Sequence, residues 1–200
     1  MSLTRDISRA IRSTLVLWIL TAVLYPFAML SFGQIAFSNQ ANGSLIRNAG
    51  GTVIGSALIG QPFESDRYFN SRPSTTSYST ADPNNDANSI LKTGVSGASN
   101  YAPSNPELQK RVQSEVERLK QAGIQPTADL VYTSGSSLDP HISVEAARAQ
   151  VARISRVRNI EANKLELLIT QHTEGRFLGI FGEPGVNVLR LNLALDQSNA

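Results

Sequence analysis

From Ser13 to Phe37 the chain carries no charged side chain, and residues 15–32 read LVLWILTAVLYPFAMLSF. A helix rising about 1.5 Å per residue needs roughly 20 such residues to cross a hydrocarbon layer about 30 Å thick. Helix is the only open-ended structure that satisfies its own backbone in lipid. The run therefore predicts a transmembrane helix over residues 13–37. Pro26 lies inside it and should kink the helix or remove one hydrogen bond, while Trp18 and Tyr25 suit the membrane interface or a neighbouring helix.

The flanks set the orientation. Arg5, Arg9 and Arg12 precede the run, opposed by Asp6, and no Lys or Arg follows until Arg47. Positive residues favour the cytoplasmic side, so residues 1–12 are expected in the cytoplasm and the remainder outside it. The apolar stretch exceeds that of an ordinary cleaved signal and no clear Ala-x-Ala site follows, which favours an uncleaved anchor.

Composition narrows the classes further. With 18 basic and 16 acidic residues in 200, the net charge of +2 lacks the basic excess of a nucleic-acid binder. The absence of cysteine removes disulfides, thiolate nucleophiles and cysteine zinc sites. Outside the anchor there is chain enough for one modest core.

Residues 38–51 are polar and Gly-rich and read as a linker, leaving residues 52–200 as the folded domain. Residues 52–59 read as a strand or strand pair. Residues 71–106 are rich in Ser, Thr, Asn, Gly and Pro; a run of that kind orders on a partner or stays irregular, and it is an expected partner surface. Asn105 and Pro106 open a helix that Gly123 closes, with Leu108, Val112, Val116 and Leu119 on one stripe. Residues 128–133 read as a short strand. Ser143 caps a helix running to about Val157, with Val144, Ala147, Val151 and Ile154 inward and Arg148, Arg153 and Arg156 on the opposite, solvated side. A helix over residues 160–172 buries Leu165, Leu168 and Ile169. Alternation over residues 187–195 reads as a C-terminal strand. The expected fold class is α+β: one transmembrane helix, then a small mixed helix and sheet domain.

Ser136, Asp139 and His141 have the residue types of a hydrolase, yet triads are defined by geometry, and no Gly-x-Ser-x-Gly elbow surrounds any serine. A turn built on Asp139 and Pro140 accounts for the same residues. His141 and His172 lack the spacing of a metal pair, so no metal is expected. There is neither a phosphate-binding P-loop nor the Asp-Lys-Thr-Gly-Thr of a phosphorylated pump chain. A membrane-anchored hydrolase and a tethered ligand sensor remain as alternatives to an accessory role.

Several stretches occur together in order behind the apolar run: Gly60–Gln61–Pro62–Phe63, Tyr68–Phe69, Arg72–Pro73–Ser74, residues 96–100 ending in Ser99–Asn100, and Pro103–Ser104–Asn105–Pro106. Thr133 to Ser143 follows, including Ser134, Gly135, Asp139, Pro140 and His141, then Ala146–Ala147, Gln150, and residues 182–189 with Glu183 and Asn187. In these the chain resembles the KdpC family, the C chain of potassium-transporting P-type ATPases. It departs from the family pattern at Ala98 and Ser137, where Gly is expected, and near Tyr101–Ala102, where Leu-Gly is expected.

The resemblance implies a non-catalytic subunit of a potassium-import complex in the bacterial inner membrane. Its partners would be a channel-like potassium-binding subunit, an ATP-hydrolysing subunit and membrane lipid, with no nucleic acid. It implies a catalytic chaperone that raises ATP affinity, with no tightly bound cofactor, ATP reached through the complex, and Gln150 as the nucleotide-associated residue. The charge pattern places Gln150 outside, away from cytoplasmic ATP, which favours assembly, capping of the potassium entrance, or indirect action through the span.

Overall fold

The computed structural model describes residues 3–48, 50–80 and 94–198. Residues 81–93, within the polar stretch expected as a partner surface, lie outside them. The chain divides into two units, residues 1–45 and 46–200.

The first unit is dominated by continuous helix over Leu3–Ala36, long and apolar enough to span a membrane. It begins as α1 (Leu3–Trp18), widens over Ile19–Leu24, and continues as α2 (Tyr25–Ala36). In the wide turn the Tyr25 N–H bonds to the Leu20 carbonyl, five residues back. Pro26, which has no N–H to offer the ladder, sits just inside α2, so the disturbance expected at the proline takes the form of a π turn before it. A helical turn, α3 (Ser38–Ala41), stands in the stretch read as a linker.

In the second unit, β1 (Leu45–Arg47), which straddles the boundary, pairs with β2 (Val53–Ser56), shorter than the strand expected over residues 52–59. The helix opening at Pro106 is α4 (Pro106–Gln121), with the Asn105 side chain accepting from the Glu107 N–H at 2.9 Å. Residues 128–133 were expected to be a strand; they hold instead a helical turn, α5 (Ala128–Val131). A short apolar run carries no period of its own, and here Leu130 and Val131 reach the core from one turn.

The sheet is three-stranded and antiparallel, with β5 (Gly185–Asn187) between β3 (His141–Ser143) and β4 (Thr173–Glu174). Ile142 faces Val186, and Thr173 faces Val186 from the other side. Ser143 caps α6 (Val144–Arg148) by accepting from the Ala146 N–H at 3.1 Å. The expected single helix is then interrupted at Ala149–Gln150 before α7 (Val151–Arg158). Next comes α8 (Ala162–Gln171).

The expected C-terminal strand is α9 (Val188–Gln197). Leucines at 189, 191, 193 and 195 satisfy a period of two, but Val188, Leu191, Asn192 and Leu195 satisfy the helical spacing and are buried, with Leu189 beside them, while Leu193 is not. Asn187 settles the matter locally: its side chain accepts from the Arg190 N–H at 3.2 Å and starts the helix. Phe69, Leu119, Ile142, Ile154, Leu165, Ile169, Val186, Leu191 and Leu195 form the core beneath the sheet and helices.

Candidate functional site

Two polar assemblies gather most of the residues singled out in the sequence. The first joins residues 72–79, 95–97 and 133–139, which have almost no regular structure. Their backbone polar groups must therefore find partners across loops. The Ser134 N–H donates to the Pro73 carbonyl at 3.1 Å, and the Ser74 hydroxyl donates to the Ser137 carbonyl at 2.8 Å. Ser137, wholly buried with a φ of 59°, accepts from the Thr75 N–H at 3.0 Å and donates to the Gly97 carbonyl at 2.6 Å. Tyr78 is buried over Gly60, and its hydroxyl donates to the Arg72 carbonyl. Burial pushes that hydroxyl up to about 12; a hydrogen bond with Ser71 opposes the shift, the Asp139 carboxylate adds to it and the Arg72 cation opposes it.

Arg72 anchors one side of this knot. Its Nη1 lies 3.1 Å from Asp139 Oδ2 and 3.8 Å from Asp129 Oδ1. Asp139 Oδ1 accepts from the His141 N–H at 3.0 Å, and Asp129 Oδ2 accepts from the Ser143 N–H at 2.7 Å. The Pro140 carbonyl accepts from the Val188 N–H at 3.0 Å. The hydrolase arrangement is not assembled: Ser136 Oγ accepts from the Leu138 N–H, whereas His141 Nε2 lies 3.1 Å from Glu174 Oε2. Among the described residues no group of three or more His, Asp or Glu is placed to hold a metal.

The second assembly surrounds the extended segment Tyr68–Asn70. Gln150, fully buried, accepts from the Asn70 N–H at 2.7 Å and donates to the carbonyls of Asn70 and Ala146, both at 3.2 Å. Asn192 does the same one residue earlier, accepting from the Phe69 N–H at 2.8 Å and donating to the Phe69 carbonyl at 3.0 Å. Each side-chain amide thus replaces one backbone partner of a strand.

Arg153 completes the assembly. Its Nη2 donates to the Tyr68 carbonyl and to Gln150 Oε1, both at 2.8 Å, and its Nη1 donates to the Asp66 carbonyl. Arg153 was expected on a solvated face; it is buried. Four inward oxygens account for that, these three and Asn70 Oδ1, which accepts from Nη2 at 3.3 Å. Burial lowers its pKa, the nearby Asp66 carboxylate raises it, and Arg118 lowers it again; a guanidinium stays charged through such a shift.

The remaining predicted residues stand elsewhere. Ser99 and Asn100 continue the chain beyond the Gly97 contact, with Asn100 at a φ of 52°, and Gly135 is exposed at the turn. Asn105 serves as a helix cap, Glu183 pairs with Arg176, and the Asn187 amide donates to the Ala57 carbonyl at 2.8 Å. A cleft of about 410 Å³ opens beside Arg72, bordered by Asp66, Asn70, Tyr78, Glu115 and Arg118. Its charges are mixed and Arg118 is already paired with Glu115 at 2.9 Å. Sequence reasoning missed Asn192, Asn70 and Arg153 as site members. For Asn192 the available signal was a polar residue at a core position of a helical stripe.

Residues 7–197 match the model of the family described as K+-transporting ATPase, c chain, KdpC. The chain is 68% identical over 198 residues to the potassium-transporting ATPase KdpC subunit 1 of a Nostoc species, covering 98% of each chain. It is 64% identical to the KdpC subunit of Microcystis aeruginosa, covering 98% of this chain and 97% of that one. With the KdpC subunit of Methylococcus capsulatus it shares 47% identity over 91% and 93% respectively.

Proposed function

This chain belongs to the KdpC family of K+-transporting ATPase c chains, and from that premise we propose that it holds a potassium pump together from outside the membrane and influences ATP use at a distance. The family name makes it a subunit of an ATPase complex with an accessory role. The partners we assign are a channel-like potassium-binding subunit and an ATP-hydrolysing subunit, within a bacterial inner membrane. A domain outside the membrane is positioned to bridge these subunits and to cover the entrance through which potassium arrives.

The observation that carries the indirect reading is Gln150. Both polar atoms of its amide are engaged internally and the residue has no exposed surface. A nucleotide contact would have to break these bonds, leaving the Asn70 N–H and C=O without partners in the interior. Raised ATP affinity needs no such contact. It follows if this subunit binds more tightly to the ATP-competent state of the hydrolysing subunit than to the other state. The basic residues Arg5, Arg9 and Arg12 support an N-terminus facing the cytoplasm.

Two labelling sites test this. The chain has no cysteine, so Ser8→Cys on α1 and Gln109→Cys on α4, both exposed, are unique probes. A membrane-impermeant maleimide applied to intact cells should label Gln109→Cys and reach Ser8→Cys only after lysis. In the purified complex a photoreactive ATP analogue should label the hydrolysing subunit and leave this chain unlabelled. The reverse pattern of maleimide labelling, with analogue attached near Gln150, would replace the indirect reading with direct nucleotide contact.

A further inference from the structure

The charge-free run of residues 13–37 has its midpoint at Tyr25, twelve residues and about 18 Å of helix from either end. Half of a hydrocarbon layer is about 15 Å thick, so Tyr25 and its neighbours lie at the centre of the bilayer whichever way the helix runs. Neither water nor a headgroup reaches that depth. Two polar groups stand there without a partner among the described residues.

The first is the main-chain carbonyl of Thr21. In an α-helix it would accept from the N–H of Tyr25, four residues on, but that N–H bonds to the Leu20 carbonyl instead. In a π turn it would accept from the N–H of residue 26, which is proline and has none. The Thr21 hydroxyl is engaged locally, donating to the Leu17 carbonyl at 2.7 Å. The second group is the Tyr25 hydroxyl. Tyr25 is 63% exposed, and its hydroxyl makes no hydrogen bond among the described residues. Hydrocarbon makes both groups costly to leave unpaired.

The two share a face. Tyr25 follows Thr21 by one turn, and Ala28 and Phe32 continue the stripe at helical spacing along α2. Ala28 leaves a notch between two aromatic residues.

We propose that this face docks a transmembrane helix of one of the larger subunits, which brings a neutral amide or hydroxyl side chain to the Thr21 carbonyl and the Tyr25 hydroxyl. The inference rests on the accessory-subunit reading above. The chemistry on the face selects the occupant. Acyl chains carry no donor, so lipid leaves the carbonyl bare. A charged side chain is costly at this depth, whereas a neutral amide or hydroxyl both donates to the carbonyl and accepts from the phenol. A second copy lacks the matching shape: anchors that pair with themselves set small residues four apart along the seam, and the positions four either side of Ala28 are Leu24 and Phe32. A helix from a different chain needs only the one notch.

The test uses the full chain in its membrane complex. Pro26→Ala restores the missing N–H, so the helix closes its own ladder and the partner's donor loses its acceptor. Tyr25→Phe removes the hydroxyl and keeps the ring. Each should lower retention of the larger subunits about three- to tenfold, the range of one hydrogen bond between membrane helices. Alanine favours helix over proline and phenylalanine matches tyrosine, so neither loss can come from an unfolded anchor. Leu30→Val, on the far side of α2, should retain its partners. In addition, p-benzoylphenylalanine in place of Phe32 should crosslink to a membrane segment of a larger subunit, located by mass spectrometry, whereas at Leu30 it should crosslink to lipid. Adducts from position 32 with a second copy, or with lipid alone in an intact complex, overturn the proposal. Full retention of the larger subunits by both Pro26→Ala and Tyr25→Phe also overturns it and leaves the accessory reading standing. If the wild-type chain itself retains no larger subunit, the accessory reading fails and this inference with it.

Discussion

Gln150 and Asn192 grip successive residues of one extended segment, each bonding both the N–H and the carbonyl of its target: Asn70 for Gln150 and Phe69 for Asn192. The two side chains come from α9 and from the break between α6 and α7, and they dock a segment that has no strand partner.

Removing either amide leaves two buried backbone groups unpaired. Gln150→Ala and Asn192→Ala should each lower stability by about 2–4 kcal/mol. The double variant should cost less than the sum, because the segment freed by the first change no longer rewards the second. Denaturant unfolding of the detergent-solubilised chain measures all three. Full stability in Gln150→Ala would show that this grip contributes nothing, and would leave the residue available for a ligand.

Ser137 sits in the left-handed region at φ 59°, where glycine is the unstrained residue. Its hydroxyl offsets that strain through the Thr75 and Gly97 bonds. Ser137→Ala keeps the strain and loses both bonds, an expected loss of about 1–3 kcal/mol. Ser137→Gly relieves the strain while losing the same bonds, so it should fall within about 1 kcal/mol of wild type. Equal melting temperatures for the Ala and Gly variants would contradict this account.

Tyr78 predicts an alkaline limb. Its folded value of about 12 lies above the ordinary tyrosine value, so on raising the pH the unfolded chain releases this proton first. The stability it supports is complete below about pH 10 and declines as pH climbs toward about 12. Between pH 9 and 11 the wild type should lose roughly 1 kcal/mol more than Tyr78→Phe. Parallel pH profiles for the two proteins would remove this role from Tyr78.

The anchor should matter in detail. Replacing residues 13–37 by a uniform polyleucine-type helix removes the wide turn Ile19–Leu24 and the hydroxyl of Thr21, which donates to the Leu17 carbonyl at 2.7 Å. Membrane helices associate through such packing detail, since lipid supplies no hydrophobic gain between them. Co-purification of the larger subunits should fall several-fold, and growth on low potassium should slow. Unchanged assembly would make the anchor a mere tether.

Elements whose signals are local were legible in the sequence. The charge-free run, the Asn105–Pro106 helix start and the Ser143 cap each need only neighbours within four residues. Leu165 and Ile169, one turn apart, gave the inward face of α8 for the same reason. Arg153, Gln150 and Asn192 were not legible, because what draws them inward lies 80–123 residues away in sequence. Periodicity counted Asn192 as a polar face of a strand, although its place among Val188, Leu191 and Leu195 is a helical one. For Arg153 it produced the same error, assigning to solvent a charge that four oxygens hold inside.

The grip on Phe69 also imposes an order in time. Its partner Asn192 is 123 residues further along. At roughly 5–20 residues per second of synthesis, about 6–25 s separate the two. Throughout that interval the anchor helix is already complete, while the segment it carries has no clamp to close. The domain is therefore committed to the membrane before it can fold, and for those seconds an unfolded stretch bearing Phe63 and Phe69 is open to any chaperone or protease that reaches it.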